Sequence, residues 1–422
     1  MGKRRNRLVG LGLAVLMSLG FWFLHGLRVS SAVAQADLFE TVWETINENF
    51  YDPNFNGLDW FAVGERYRPR VAQASTPAEK VALINQMLAE LKTSHTQLYT
   101  PAEPAYYQLL GIFYPRWPEL QQQLADRFPE GKLEYVGIGI FTRQKEGKTF
   151  ISAILDGSPA ATAGLNVGDE ILSVEGRPFQ AVASFADKAG VAVTLRVQPS
   201  LSPDSEKEMV VTPSRYDGIT MFLDAMADSV AVIDKSGQRI GYIHIWSYAG
   251  DQYQEKLEEE LIYGSLREAD ALVLDLREGW GGAPPTALHL YTARGPSITN
   301  IGRDGEAWTY RGQWEKPVVM LVNENSRSAK EILAYSFQQY DIGPVVGTAT
   351  AGAVVAGRPF LMPDQSLLYV AVADVLVDEQ VRLEGIGVTP DVVVPFPLPY
   401  AQGTDPQKER AIAMAVELAS RR

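Results

Sequence analysis

The sequence predicts an α/β protein with a helical N-terminal segment and an all-β segment in its middle. Three patterns indicate this: apolar residues recur at helical spacing before residue 100, short β runs with glycine turns fill 134–215, and β runs alternate with helical stretches over 216–400. Such alternation is typical of an α/β domain with a partly parallel sheet. Residues 401–422 are predicted to form a terminal helix, whereas 101–131 fit either a packed connector or a mobile substrate-facing segment.

Residues 1–36 have the pattern of an export signal. Four basic residues lie within the first seven positions, an apolar run occupies 8–24, and the small residues Ala34 and Ala36 form a cleavage box. The run is shorter than the roughly 20 residues that span a bilayer, so cleavage is favoured over a retained anchor that would associate the chain with a membrane. We therefore expect an exported protein in a periplasm or a thylakoid-lumen-like compartment.

The composition argues against several functional classes. The chain has 51 acidic against 38 basic residues, and five of the basic ones lie within 1–36, so nucleic acid and anionic lipid are poor partners. It has no cysteine, which removes disulfides, a thiol nucleophile and thiolate metal sites. Its four histidines lack the close spacing of a zinc-binding helix, so we expect neither a metal nor a cofactor.

The middle segment resembles a PDZ domain. The resemblance rests on Ser-Pro-Ala-Ala at 158–161 and on Val-Gly-Asp-Glu-Ile-Leu-Ser-Val-Glu-Gly at 167–176. It implies a peptide-binding domain over 134–215, in which a polypeptide C-terminus adds as a strand while backbone N–H groups bind its carboxylate. The expected partners are thus polypeptides with accessible C-termini. The residues expected to bind them are Val136, Gly137, Ile138, Gly139 and Ile140.

Two turns in the following segment have features of a catalytic site. At 274–282 a buried strand runs into a glycine cluster, whose N–H groups have room to form half of an oxyanion hole, although a tight strand-to-helix turn explains the glycines equally well. At 319–331 a buried strand, a polar turn and a helix start place a serine where helix-end N–H groups stabilise negative charge. Ser326 and Ser328 are also ordinary candidates for a helix N-cap.

Together these turns resemble those of the C-terminal processing and tricorn-core serine peptidases, as do Gly-Thr-Ala-Thr-Ala-Gly at 347–352 and Gly-Ile-Gly-Val-Thr-Pro-Asp at 385–391. The resemblance spans roughly residues 37–396. It implies a crotonase-like α/β peptidase core over 216–400, a helical cap over 37–130, and the PDZ-like domain inserted between them. It maps the nucleophile onto Ser328, with the N–H groups of Ala329 and of Gly281 or Gly282 as the oxyanion hole.

The residues around Ser328 do not supply the lysine base of the processing branch. That branch has Thr-Phe-Gly-Lys where this chain has Thr-Ala-Gly-Ala at 350–353. Lys330 follows two residues after Ser328, which on a helix turns its side chain about 200° away. A Ser–Lys mechanism is therefore not expected.

A histidine base is implied instead by Ser-His-Thr at 94–96, which resembles the tricorn-core branch. The resemblance maps the general base onto His95, with Ser94 and Glu384 orienting it. Imidazole suits the task because its pKa of about 6.5 lies near neutral pH. Without the resemblance, His95 fits a helix-end cap and Glu384 a solvated turn acid.

We therefore expect an exported serine endopeptidase of the C-terminal processing type. One alternative is a catalytically inactive relative that binds peptides through its PDZ-like domain. A second, acyl chemistry on a thioester, rests on fold analogy alone. The sequence leaves the oligomeric state open.

Overall fold

The computed structural model describes residues 37–292 and 295–421. The predicted export signal, residues 1–36, lies outside the described residues. Within the described ranges, we find no helix with the length and apolar character needed to cross a membrane.

An N-terminal lobe of three helices opens the described chain: α1 (Leu38–Asn49), α2 (Trp60–Ala72) and α3 (Pro77–Ala89). Each helix begins at a side chain that accepts a hydrogen bond from an otherwise unpaired N–H group of the first turn. These N-caps are Asp37, Asp59 and Thr76. The short strand β1 (Gln97–Tyr99) follows, directly after the Ser-His-Thr segment.

The proline- and aromatic-rich stretch after β1 is a packed connector. It forms α4 (Pro104–Phe113) and α5 (Pro118–Gln123), and α4 buries Tyr106, Leu109 and Leu110 completely. The connector belongs to the same apolar cluster as the central sheet of the α/β domain. One face of α4 therefore contributes to the main core.

The middle segment is all-β apart from two short helical turns, α6 (Pro159–Thr162) and a 3-10 turn (Pro203–Ser205). Its strands are β2 (Glu134–Gly137), β3 (Ile140–Lys145), β4 (Lys148–Ile154), β5 (Glu170–Val174), β6 (Val193–Gln198), β7 (Lys207–Val211) and β8 (Ser214–Asp217). Strands β3 to β7 form one antiparallel sheet in sequence order, and β2 pairs with β8. Strand β3 is consequently an edge strand, with one row of backbone groups free of sheet partners.

The last segment alternates strands and helices, as the sequence predicts. Its helices are α7 (Met221–Ser229), α8 (Asp251–Ile262), α9 (His289–Thr292), α10 (Ala329–Gln339) and α11 (Pro406–Ala419). Its strands are β9 (Ala231–Lys235), β10 (Gln238–His244), β11 (Ala271–Asp275), β12 (Ser297–Ile301), β13 (Ala307–Arg311), β14 (Val318–Val322), β15 (Val345–Gly347), β16 (Val355–Leu361), β17 (Leu367–Asp374) and β18 (Val392–Val393).

The central sheet has the order β18-β15-β14-β11-β10-β9 and is parallel except for the β9–β10 pair. Strands β11 and β14 are buried along their whole length, which explains why they are apolar except for Asp275 at the end of β11. The glycine cluster and the Ser328 turn follow these two neighbouring strands. Because parallel strands end at the same edge of a sheet, both turns meet there.

A second, three-stranded sheet with the order β1-β17-β16 joins the helical lobe to this domain. Its register pairs Gln97 with Tyr369. Apolar residues of the lobe and of the β16–β17 hairpin form one buried cluster, so the lobe is packed onto the domain rather than tethered to it. This pairing holds His95, two residues before β1, beside the α/β domain.

Candidate active site

Ser328 occupies the turn between β14 and α10 in a strained backbone conformation. Its φ of 59° and ψ of −133° lie in a region that non-glycine residues seldom adopt. Its N–H donates to the Ala353 carbonyl at 2.9 Å and to Glu331 Oε2 at 3.1 Å. These two hydrogen bonds hold the strained backbone of Ser328 in place. Its side chain faces a cavity.

Ser326, the other candidate from the sequence, has a structural setting. It is fully buried, and its Oγ donates to the Leu276 carbonyl at 2.9 Å and accepts from Asn323 N–H at 3.0 Å. This hydroxyl ties its own turn to the end of β11 and does not line the cavity that Ser328 lines.

Glu331 organises the Ser328 turn, and the sequence reasoning did not single it out. Its fully buried carboxylate accepts from Thr350 Oγ1 at 2.6 Å, Gly352 N at 2.7 Å, Ala353 N at 2.8 Å and Ser328 N at 3.1 Å. Burial raises the pKa of Glu331 against these hydrogen bonds. A glutamate three residues after a serine at a helix start was the available signal, because that spacing is typical of N-terminal capping.

His95, Ser94 and Glu384 form a hydrogen-bonded chain. Ser94 Oγ lies 2.9 Å from His95 Nδ1 and donates to Glu384 Oε2 at 2.9 Å. Because the single hydroxyl proton of Ser94 goes to the carboxylate, Ser94 Oγ accepts from a protonated Nδ1. Nε2 of His95 is then the unprotonated nitrogen, the form required of a proton acceptor.

Further donors fix Glu384 in place. It is buried, and its carboxylate also accepts from Ser94 N at 2.8 Å and from Val354 N at 2.6 Å. A solvated turn acid would make no such set of bonds. The carboxylate therefore connects the lobe that carries His95 to the loop beside Ser328.

The surroundings of His95 keep its imidazole neutral. The residue has a φ of 55°, and its ring lies 5.2 Å from that of Tyr369, centroid to centroid. Burial, and after it the charge of Arg327, lowers the pKa of His95 to about 4. At neutral pH the ring is unprotonated and available to accept a proton.

Ser328 and His95 line one cavity of about 270 Å³. Its remaining walls come from the connector and from the glycine cluster, with Phe113, Trp117 and Gly281 among them. Within residues 37–292 and 295–421, no hydrogen bond joins Ser328 Oγ to the His95 ring. In enzymes without substrate such bonds are often long and tighten when substrate binds.

The glycine cluster makes close contact with the Ser328 turn. A methyl group on Gly281 would fall 2.6 Å from Ser328 Cβ and 3.0 Å from Ala329 N, and one on Gly282 would fall 2.6 Å from Ala249 Cα. In the described part of the chain, the N–H groups of Gly281, Gly282 and Ala329 donate to no protein acceptor. Gly281 and Ala329 adjoin Ser328 and Gly282 lines the same cavity, so unpaired backbone donors are available near this serine.

Lys330 points away from Ser328 into the core. It is fully buried, and its Nζ donates to the carbonyls of Glu278 at 2.7 Å and Trp246 at 3.2 Å. Burial lowers the pKa of Lys330 to about 7, against the opposing effect of nearby carboxylates. Lys330 therefore stabilises the segment in which β11 leads into the glycine cluster.

The Asp-Leu-Arg part of the same segment forms a buried ion pair. Arg277 donates to Asp275 Oδ2 at 2.7 Å and to Asp405 Oδ2 at 2.8 Å, and Asp405 is the N-cap of α11. Burial alone would raise the pKa of Asp275, but the Arg277 guanidinium holds it well below its usual range. These residues attach the terminal helix to the sheet.

The residues predicted to bind peptide border a second cavity, of about 440 Å³. Gly137, Ile138, Gly139 and Ile140 line it, whereas Val136 packs against the core of the β domain. The open edge of β3 continues the same wall, and the far wall belongs to the α/β domain. An extended peptide added to β3 would therefore run past the turns that carry Ser328.

Comparison with known proteins agrees with this architecture. Residues 239–394 match the model of peptidase family S41, 34–89 match the tricorn protease C1 domain, and 126–194 match the PDZ domain. The carboxyl-terminal-processing protease of Synechocystis sp. is 26% identical over 96% of this chain and 92% of its own length. Putative tricorn protease homolog 2 of Streptomyces coelicolor is 27% identical over 93% of this chain, which spans only 33% of that protein.

Solved structures share the fold. The photosystem II D1 C-terminal processing protease superposes with a TM-score of 0.50 at 21% identity, covering 89% of this chain and 98% of that one. The tricorn protease gives a TM-score of 0.52 at 19% identity, covering 91% of this chain and 36% of that one. The predicted α/β peptidase core with a helical cap and an inserted PDZ-like domain is confirmed. With its peptidase S41, tricorn C1 and PDZ domain matches, the chain is a serine-type peptidase similar to the C-terminal processing and tricorn proteases.

Proposed function

We propose that this chain is an exported endopeptidase that cleaves polypeptides through an acyl-enzyme on Ser328, with His95 as general base. The observation that carries the proposal is the hydrogen-bonded chain from His95 through Ser94 to Glu384, on the wall of the cavity that Ser328 also lines. Ala353 stands at the position of the processing-branch lysine and is an additional reason to favour a histidine base.

The proposed reaction begins when His95 Nε2 takes the proton of Ser328 as Oγ attacks the substrate carbonyl carbon. The resulting oxyanion accepts hydrogen bonds from Ala329 N–H and from Gly281 or Gly282 N–H. The C–N bond then breaks, and His95 returns the proton to the leaving amine. Water activated by the same imidazole hydrolyses the ester and restores Ser328.

Ser94 and Glu384 act on His95 in this scheme and do not touch the substrate. They hold the ring in the tautomer with Nδ1 protonated, and the carboxylate stabilises the imidazolium that forms transiently. Burial of His95 makes that imidazolium costly, which is why a nearby anionic partner matters.

Residues 134–215 would deliver the substrate in this proposal. A polypeptide C-terminus would add to the free edge of β3, and the turn at 137–140 would bind its carboxylate. Ser328 lies on the adjoining domain, so an extended chain bound at β3 would lead towards the catalytic cavity. Polypeptides with accessible C-termini are therefore the proposed substrates.

Export is the remaining part of the proposal, and it rests on residues 1–36. We expect the protein recovered from exporting cells to begin at Asp37. N-terminal sequencing tests this, because a retained anchor would leave the apolar run of 8–24 attached and the protein in the membrane fraction.

Cleavage of an unfolded model protein with a free apolar C-terminus tests the catalytic proposal. The wild-type chain is expected to degrade it, and Ser328→Ala and His95→Ala are each expected to reduce the rate by about 10² to 10⁴. His289→Ala is the matched control, since His289 is exposed and does not line the cavity that Ser328 and His95 line. If the wild type bound the protein but cleaved nothing, the chain would be a peptide-binding relative without catalytic activity.

A further inference from the structure

The catalytic cavity has a positive lining in a strongly acidic protein. Two arginines, Arg116 and Arg327, face it, and no Asp or Glu does so among the described residues. The whole chain carries 51 acidic against 38 basic residues, a formal net charge of −13. A lining of this sign is therefore not a consequence of overall composition.

Arg327 is half-buried, and its guanidinium has no carboxylate partner among the described residues. Its Nε is buried without a hydrogen-bond acceptor, and over residues 37–292 and 295–421 it forms no ion pair. Its guanidinium carbon lies 5.3 Å from the ring centroid of Trp280, so the group is stacked and held in place. The unpaired Nε–H is costly because that atom is buried, and a carboxylate bound to the guanidinium would satisfy it.

The neighbouring carboxylates have other partners. Glu278 accepts from the side-chain amides of Asn323 and Asn325, and Glu103 accepts from Thr100. Neither lies within ion-pair distance of Arg327. The positive charge beside Ser328 thus remains uncompensated by the protein.

Arg327 also lies where the two cavities meet. Together with Trp280 it lines both the peptide-side cavity of about 440 Å³ and the catalytic cavity of about 270 Å³. A chain that passes from the edge of β3 to Ser328 must pass this side chain. Whatever the guanidinium recognises would therefore be close to the bond that is cleaved.

We propose that Arg327 recognises an acidic side chain of the substrate next to the scissile bond, while the turn at 137–140 takes the C-terminal carboxylate. This deepens the proposed peptidase function and rests on it. Guanidinium suits the role because its planar N–H groups bind a carboxylate in bidentate fashion and its charge persists at all relevant pH values. Arg116, at the exposed rim, adds long-range attraction for the same charge.

The position of Arg327 gives such binding a chemical consequence. The guanidinium charge disfavours a protonated His95, which must nevertheless form during acylation. A substrate carboxylate on Arg327 would neutralise that charge and make the imidazole a better base. Substrates that carry the carboxylate should therefore gain in kcat as well as in binding.

The test uses short fluorescent peptides that differ only in charge. One pair carries Asp or Asn at a single internal position, and a second pair has a free or an amidated C-terminus. Affinity is measured by fluorescence anisotropy on Ser328→Ala, which retains Arg327 and needs no catalysis. The Asp peptide is expected to bind about tenfold or more tightly than the Asn peptide, as for a charge-assisted hydrogen bond.

Introducing Arg327→Gln into Ser328→Ala is expected to abolish this preference, and Arg327→Lys to retain part of it. Arg303→Gln, at an exposed position away from both cavities, is the matched control and should leave the preference intact. The two peptide pairs separate the sources of the carboxylate. Equal affinities for the Asp and Asn peptides, or an Asp preference that survives Arg327→Gln, would overturn the proposal, whereas the second pair reports on the carboxylate site at 137–140.

Kinetics with the same peptides separate this proposal from the proposed function. If the Ser328-intact chain cleaves neither member of a pair, the peptidase proposal fails, while the anisotropy result still decides the role of Arg327. If it cleaves both at equal kcat/KM and binds them equally, the specificity proposal fails and the peptidase proposal stands.

Discussion

Gly281 lies so close to Ser328 that a methyl group on its Cα would fall 2.6 Å from the Ser328 Cβ. The same methyl group would lie 3.0 Å from Ala329 N, in the space an oxyanion would need. We therefore predict that Gly281→Ala lowers kcat by about 10² to 10³, the effect of losing an oxyanion donor. Steady-state kinetics on a peptide substrate measures it.

The control for this variant is Gly312→Ala, because nothing lies within 4 Å of a methyl group at Gly312. It should keep wild-type kcat. Unchanged kcat in Gly281→Ala, with an unfolding midpoint like that of the wild type, would argue against an oxyanion site at this glycine.

The position of Glu384 predicts a role in orienting His95. Glu384→Gln replaces an acceptor of three hydrogen bonds by an amide whose NH₂ group must face a donor. We expect kcat to fall by about 10² or more, with KM changed much less, because the residue does not line the catalytic cavity. Ser94→Ala should lower kcat by a smaller factor. A rise in KM as large as the fall in kcat, in both variants, would point to damaged substrate binding instead.

The lowered pKa of His95 predicts an unusual pH profile. Only neutral imidazole accepts the proton of Ser328, and burial together with the Arg327 charge lowers the pKa of His95 to about 4. The acid limb of kcat/KM should therefore lie near pH 4 and not near the ordinary histidine value of about 6.5. Circular dichroism at each pH separates this limb from acid unfolding.

Arg327→Gln should raise the pH of the acid limb only part of the way from about 4 towards 6.5, because burial lowers the pKa of His95 more than the Arg327 charge does. A wild-type limb close to pH 6.5 would show that His95 is more solvated than the structure indicates, or that another group is the base.

Lys330 predicts a pH-dependent stability. Its pKa is about 7 in the folded protein and about 10.4 in an unfolded chain. Between these values the unfolded chain binds a proton that the folded chain does not, so the free energy of unfolding falls as the pH drops from about 10 to 7 and is unaffected by this group below 7.

We expect Lys330→Met to have a flatter dependence of unfolding free energy on pH between 7 and 10 than the wild type, as measured by urea titration. Lys235→Met, at an exposed lysine, should retain the wild-type slope. Identical slopes for the wild type and Lys330→Met would show that the ammonium stays charged in the core.

Local sequence patterns contained most of the site but not how its parts meet. The segments around His95, Ser328 and the glycine cluster are short motifs, so each could be predicted separately. The 290-residue separation between Ser94 and Glu384 is closed by the pairing of β1 with β17, a three-residue ladder with no pattern of its own. From the sequence, it was the resemblance to known peptidases, and not hydrophobic periodicity, that predicted Ser94 and Glu384 to act together.

Other features depended on packing. The connector at 101–131 fitted two descriptions until burial of Tyr106 and Leu109 identified it as part of the core. Ser326 and Ser328 were equivalent as helix-start serines until the Leu276 carbonyl was seen to engage the first. The isolation of Arg327 could not be predicted, because the absence of a partner is a property of the whole surrounding structure.

The most direct test of the account is the rate at which a serine-directed phosphonylating probe modifies the protein, with the modified residue identified by peptide mass mapping. The account predicts modification of Ser328 in the wild type and in His289→Ala, at a rate about 10² or more above that of His95→Ala. Equal rates with and without His95, or modification of a serine other than Ser328, would contradict it.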